Sequence, residues 1–126
     1  MAAAKLIIDF VVRDPVCAEP WQPVALVRQQ MLLNSFSYLP VQIRGEWKLI
    51  SDHAIASYLV LADDRRQALT QRIEAAHDAN CLSLEDVAVL SAEATVRDAV
   101  EQGRGKPVLV VDGSRLLGIA TPFDLL

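Results

Sequence analysis

The sequence predicts a mixed α/β (α+β) protein built from two tandem β-α-β-β-α repeats. Three observations carry that expectation. Hydrophobic residues make up 52% of the 126 residues, ample for burial in one domain or in two small halves sharing a core. Short apolar runs alternate with stretches of helical spacing, separated by turn residues. The order of those segments then starts again partway along the chain.

In order, "KLIIDFVV" reads as an opening strand, and "VALVRQQMLLNS" as a helix with Val24, Val27, Met31 and Leu32 at helical spacing. "LPVQIRGEWKLI" reads as two short strands joined at Gly45, and "SDHAIASYLVLA" as a helix with Ser51 at its N-cap. A polar link of helical character, "DDRRQALTQRIEAAHDAN", follows. Then "DVAVL" reads as a strand, "TVRDAVEQ" as a helix, and "KPVLVV" and "RLLGIA" as strands around the hairpin signal "DGS". The expected divisions are residues 1–62 for the first repeat, 63–80 for a helical linker and 81–126 for the second repeat.

Laid on each other, the halves match Val24 with Val96, Pro40-Val41 with Pro107-Val108, Gly45 with Gly113, and Leu49-Ile50-Ser51 with Ile119-Ala120-Thr121. From Val24 to Pro40 is 16 positions and from Val96 to Pro107 is 11, so the second helix and its exit are about one turn shorter.

Composition removes several function classes. A net charge of -4 with scattered Lys and Arg offers no basic field for nucleic acid or an anionic membrane. Asp9 and Arg13 interrupt the N-terminal apolar run, and no stretch has membrane-spanning length, so a cytosolic protein is expected. Cys17 and Cys81 are isolated, which predicts two buried thiols, no disulfide and no zinc. "GRGKPV" is too short before Lys106 for a phosphate loop and has Pro107 where a hydroxyl is required, while Gly103 fits a helix C-terminus. Ser51 and His53 have no acid partner legible in the sequence, and Trp21 and Trp47 fit core or subunit contacts, so no catalytic site is legible.

The stretch "GIATPFD", Gly118 to Asp124, is the informative one. A strand delivers Thr121 to a helix start, with Pro122 first and Asp124 third. One reading is a helix cap, with the Thr121 oxygen accepting from the Asp124 amide and the acid meeting the positive end of the helix dipole. The other is a ligand site, because amides and a hydroxyl at such a start can hold a phosphate, and a carboxylate one turn on can accept from both hydroxyls of a ribose. The first half carries Ser51 at the Thr121 position but Ala54 at the Asp124 position and Asp52 in place of Pro122. Ala54 cannot hold a ribose and Asp52 repels a phosphate, so that half is expected to be empty of nucleotide.

Two copies of strand, helix, "PV" strand, strand and Gly-Ile-x-Thr-x-x-Asp resemble a CBS domain pair, also called a Bateman module, over nearly the whole chain. The second half resembles it more specifically, through "ATVRDAVEQ" and "KPVLVVDGSRLLGIATPFDLL". The resemblance implies a pseudo-twofold pair of repeats, a regulatory ligand such as AMP, ADP or ATP between the copies, association into a homodimer, and an effector protein in trans. It implies no catalytic cofactor. Carried to this sequence, it places the nucleotide on Thr121 and Asp124, with the base near Val87, Val89, Pro107 and Ile119. Arg115, Lys48 and His53 are candidates for phosphate neutralisation by their place in the pattern. The alternative is a degenerate pair that serves only for dimerisation or docking. On the ligand reading, one nucleotide binds per chain, and Asp124 contributes little to the free protein because only Leu125 and Leu126 follow it. Phe123, Leu125 and Leu126 are expected to seek burial at a dimer interface beside the faces beginning at Ser51 and Thr121.

Overall fold

The computed structural model describes residues 4–125. In chain order the elements are a 3-10 turn (Ile7–Asp9), β1 (Val12–Arg13), α1 (Val24–Asn34), β2 (Tyr38–Ile43), β3 (Glu46–Ser51), α2 (Asp52–Leu61), α3 (Arg65–Thr70), α4 (Ile73–Asp78), β4 (Glu85–Asp86), β5 (Ala88–Ser91), α5 (Val96–Gly103), β6 (Val108–Asp112), β7 (Arg115–Ala120) and a second 3-10 turn (Pro122–Leu125). They divide into one unit of Val16–Asp86 and another of Met1–Pro15 with Val87–Leu126. Among the described residues, no helix is long and apolar enough to cross a membrane.

In the Val16–Asp86 unit, β2 and β3 form an antiparallel hairpin and β4 extends it along β3. α1 buries Val24, Val27 and Met31. Leu32 was expected on that face but is 64% exposed, because one residue beyond Met31 is about 100° further round the helix. α2 buries Ile55, Tyr58 and Leu59, and the Tyr58 hydroxyl donates to the Ala68 carbonyl at 2.8 Å. The 63–80 stretch is thereby drawn into the core, to which it contributes Ala68, Ile73 and Ala76. Val24 N–H to the Gln71 carbonyl (2.8 Å) and Ile73 N–H to the Gln22 carbonyl (2.9 Å) clip the start of α1 to the α3–α4 turn.

In the other unit the strand order is β1-β7-β6-β5, with β5 parallel to β6 and its other pairings antiparallel. The β6–β7 turn uses Gly113 at φ +62°, a left-handed position suited to glycine in a tight hairpin. Ile7, Leu90, Ala99, Val108, Val110 and Ala120 form the core. α5 has 8 residues against 11 in α1, close to the one-turn shortening read from the sequence.

"KLIIDFVV" is not one strand. Ile7 is fully buried, its N–H bonds the Ala94 carbonyl at 2.9 Å, and only Val12 and Arg13 pair with β7. A regular strand turns successive side chains to opposite faces, whereas the 3-10 turn lets Ile7 drop into the core before the chain reaches the sheet edge. The parallel pairing that opens the first repeat lies later: Ala18 bridges Val41, as Ala88 pairs with Val108 in the second. Pro15 and Pro20 bracket that segment, leaving too few residues for a periodic signal. "DVAVL" is likewise divided at Val87, with Asp86 in β4 and Ala88 in β5. Each two-residue strand precedes one repeat and pairs with the sheet of the other: β1 with β7, β4 with β3.

The β1 segment passes so close to β7 that a Cβ on Gly118 would stand 2.5 Å from Val11 Cγ2 and 2.9 Å from the Val12 carbonyl oxygen. Gly118→Ala is therefore expected to destabilise the protein by about 1–3 kcal/mol through overpacking. Equilibrium urea unfolding checks it, and an unchanged midpoint would show that Val11 yields without cost.

Candidate functional site

β7 ends at Ala120 and presents Thr121 to a turn that is 3-10 rather than the expected start of an α-helix. The Asp124 N–H bonds to the Thr121 carbonyl at 3.0 Å. Asp124 reaches back, and its Oδ2 accepts from both the Thr121 N–H (2.9 Å) and the Thr121 hydroxyl (3.0 Å). Oδ1 takes part in neither bond. Because the hydroxyl spends its one proton on Asp124, its oxygen still has lone pairs to offer a donor.

A second Thr-x-x-Asp, which the sequence reading left unremarked, sits in the same unit at Thr95–Asp98. It forms a complete capping box: Thr95 N–H donates to Asp98 Oδ2 (3.0 Å), and Asp98 N–H donates to Thr95 Oγ1 (3.1 Å). The backbone bond from Thr95 and the bond to its hydroxyl hold the Asp98 carboxyl below its ordinary value of 3.8. In that box the threonine oxygen serves the α5 amide. At Thr121 the corresponding amide is taken by a backbone carbonyl, so the hydroxyl oxygen does not serve it and its proton goes to the carboxylate.

The start of α2 differs again. Ser51 Oγ accepts from Ala54 N–H (3.0 Å), Asp52 Oδ1 accepts from His53 N–H (2.7 Å), and Asp52 N–H bonds the Ser37 carbonyl (2.9 Å). All three amides are engaged, and an acid stands among them. A pocket of about 600 Å³ opens here, lined by Ser51, His53 and Ala54 among others. Ala54 leaves this helix start without the carboxylate that Asp124 supplies after β7.

The other sequence-derived candidates fall at one end of the β5–β6–β7 sheet. Ala88, Val108 and Ala120 pair in one row on the face toward the core, and Val89, Leu109 and Ile119 pair in the next, with alternate side chains on the opposite face. Val87 and Pro107 stand one residue before the first of these rows in β5 and β6, and Thr121 one residue after it in β7. Val89 is 41% exposed, Pro107 is buried, and Val87 and Ile119 are half-buried. Leu109, fully buried between Val89 and Ile119, joins this row, and only the register reveals it.

Of the phosphate candidates, Arg115 shares the unit of this cluster, and Lys48 and His53 belong to the other unit. Arg115 begins β7 at the far end from Thr121, a strand length of roughly 20 Å away. Lys48 pairs with Asp86 and Glu46 across β3 and β4, and these bonds raise its pKa, with the Asp86 hydrogen bond the largest cause. His53 is on α2. Cys81 was expected to be buried, yet it is exposed, in the turn that follows Asn80 at φ +60°. Cys17 is half-buried, and burial followed by the Glu19 charge raises its thiol pKa. Trp21, expected in a core or interface, is 58% exposed. Leu125 packs against its own unit's core rather than standing free, Phe123 is 80% exposed, and Leu126 lies outside the described residues.

No protein-family model and no curated protein matches the sequence. Solved structures do. A CBS domain-containing protein of unknown function from Bacillus anthracis matches at TM-score 0.75 and 16% identity, covering 95% of this chain and 88% of that one. CBSX2 in complex with AMP matches at TM-score 0.70 and 15% identity, covering 96% and 93%. The hexameric CBS-CP12 protein from bloom-forming cyanobacteria matches at TM-score 0.71 and 18% identity, covering 98% and 67%. The chain has the fold of a CBS domain pair.

The capping box gives a pH prediction. A carboxyl held below its ordinary pKa contributes stability in full above that value and loses it as pH falls through the lowered one. Asp98→Asn is expected to melt below the wild type at pH 7, with the two melting temperatures converging as pH drops from just above 3.8. Parallel melting curves down to pH 2 would remove Asp98 from the acid response.

Proposed function

We propose that this chain is a regulatory module whose second repeat binds an adenosine nucleotide (AMP, ADP or ATP) and acts on an effector protein in trans. It works in the cytosol and carries out no catalysis of its own. Thr121 and Asp124 receive the ribose and phosphate, and Val87, Val89, Pro107 and Ile119 provide the apolar surface for the base. The observation that carries this reading is the difference between the two Thr-x-x-Asp motifs. The Thr95 oxygen accepts from the Asp98 amide of α5, whereas the Asp124 amide is taken by a carbonyl, which leaves the acceptor capacity of the Thr121 hydroxyl outside the turn's own bonds. The AMP in CBSX2 adds support at the level of the fold.

The local bonding also favours a second reading, a pair without ligand in which Asp124 only fastens the turn. It revises the expectation that Asp124 does little for the free protein. Asp124→Ala is expected to destabilise the free protein by about 0.5–2 kcal/mol, as loss of a cap does, and to remove the response to nucleotide. Thermal melts of both proteins with and without AMP or ATP decide the matter. A destabilised variant that still responds fully returns the turn to a purely structural role.

Calorimetric titration with AMP, ADP and ATP is expected to saturate at about one ligand per chain, and ligand at about 100 times its dissociation constant to add roughly 2.7 kcal/mol of stability. Two equivalent sites per chain would contradict the assignment, since Ala54 replaces the needed carboxylate.

The same proposal includes a homodimer formed through the α1–α2 side of the Val16–Asp86 unit. A groove of about 290 Å³ lies there, lined by Met31, Leu32, Ile55, Leu59 and Val60, with Leu32 and Val60 64% and 78% exposed. Apolar side chains so placed favour a self-complementary contact. Light scattering at tens of micromolar is expected to give a dimer for the wild type and a monomer for Leu32→Glu. A wild-type monomer at that concentration would count against the interface.

A further inference from the structure

We infer that the opposite side of α2, facing α3 and the Asn80–Glu85 segment, is a docking groove for a basic peptide segment of a partner protein that carries an apolar anchor residue. The inference does not depend on nucleotide binding. Two pockets of about 600 and 470 Å³ adjoin there and share Tyr58, Leu61, Asn80 and Cys81. Side by side they offer more length than one small ligand fills. Of the shared residues Leu61 is 81% exposed and Tyr58 is buried.

The charged side chains that line this groove are carboxylates, beside one histidine, His53. Asp52 and Glu85 line the first pocket and Asp63 and Asp64 the second, and neither lining contains a lysine or arginine. The bonds from His53 N–H to Asp52 and from Gln67 N–H to Asp64 orient those carboxylates without neutralising them. The groove on the α1 side of the same helix is lined by Arg28 and Arg65 and shares Asp52, so the lining arginines lie on that side while Asp63 and Asp64 line only this one. An apolar ridge between acidic walls fits a segment whose Lys or Arg residues flank a Leu- or Phe-type side chain.

The other occupants fit less well. Phosphate-bearing ligands meet like charge. A second copy docking here isologously would set this acidic patch against itself, on a chain whose net charge is already -4.

The test uses the full chain and a fluorescein-labelled amphipathic helical peptide bearing Lys along one side and Leu along the other, read by fluorescence anisotropy. Two comparison peptides replace every Lys by Glu or every Leu by Ser. Saturable one-to-one binding of the first peptide alone is expected. It should weaken at least tenfold in the double variant Leu61→Ser/Asp63→Lys and stay within twofold in Asp112→Lys, which changes an exposed hairpin of the other unit. Asp63→Asn alone should weaken binding by a smaller factor, and it serves if the double variant does not fold. No binding by the Lys/Leu peptide overturns the proposal. Equal weakening by Asp112→Lys also overturns it, by showing unspecific attraction, as does binding that survives in the Ser-substituted peptide. If Leu61→Ser/Asp63→Lys converts a dimer to a monomer in sedimentation, the groove is a self-interface and the proposal fails.

Discussion

The missing side chain at Gly118 sets the geometry of the unit that carries the candidate site. Only without a Cβ can Val11 and Val12 lie against β7, and that contact brings Ile7 into the core. β7 is therefore held on both edges, by β6 and by β1, before it ends at Ala120 and leads into Thr121. A strand fixed on both sides gives the residue at its end a defined place, which a fraying edge strand cannot do. The bulge between Val110 and Val111 serves the same end, since it admits Leu117 to the core while Gly118 and Ala120 keep their register with β6.

Thr-x-x-Asp has two different uses within one unit. At Thr95 it precedes eight residues of α-helix, so the Asp98 amide needs an acceptor and takes the hydroxyl. At Thr121 the backbone closes a 3-10 bond first, and the same side chains rearrange around one carboxylate oxygen. The chemistry available to a ligand is set by what the backbone leaves unused. Residue identity alone does not decide it.

α2 separates two surfaces of different character. Its α1 side is an apolar groove edged by Arg28, Arg65 and Asp52, and its α3 side is a groove lined by Asp52, Asp63 and Asp64 in which Leu61 belongs to both pockets. The helix can present both because residues three and four apart share a face, which sets Ile55, Leu59 and Val60 toward one groove and Ala54, Ser57, Tyr58 and Leu61 toward the other. One amphipathic element thus borders an apolar groove on one side and a groove with carboxylates on the other.

By itself the sequence determined what depends on local order. The helices at Val24, Asp52 and Val96, the hairpins at Gly45 and Gly113, and the Ser51 cap were all legible, because a helix period, a turn residue and a cap are written in neighbouring positions. The repeat was legible for the same reason. Tertiary structure decided the rest. That Ile7 turns inward, that β1 and β4 each join the sheet of the other repeat, that Leu109 lies between Val89 and Ile119, and that Cys81 and Leu32 face outward all depend on partners distant in sequence. Two-residue strands carry no period to read, and the way Thr121 and Asp124 bond follows from which backbone bond closes the turn, a competition settled only once β7 is held in its sheet.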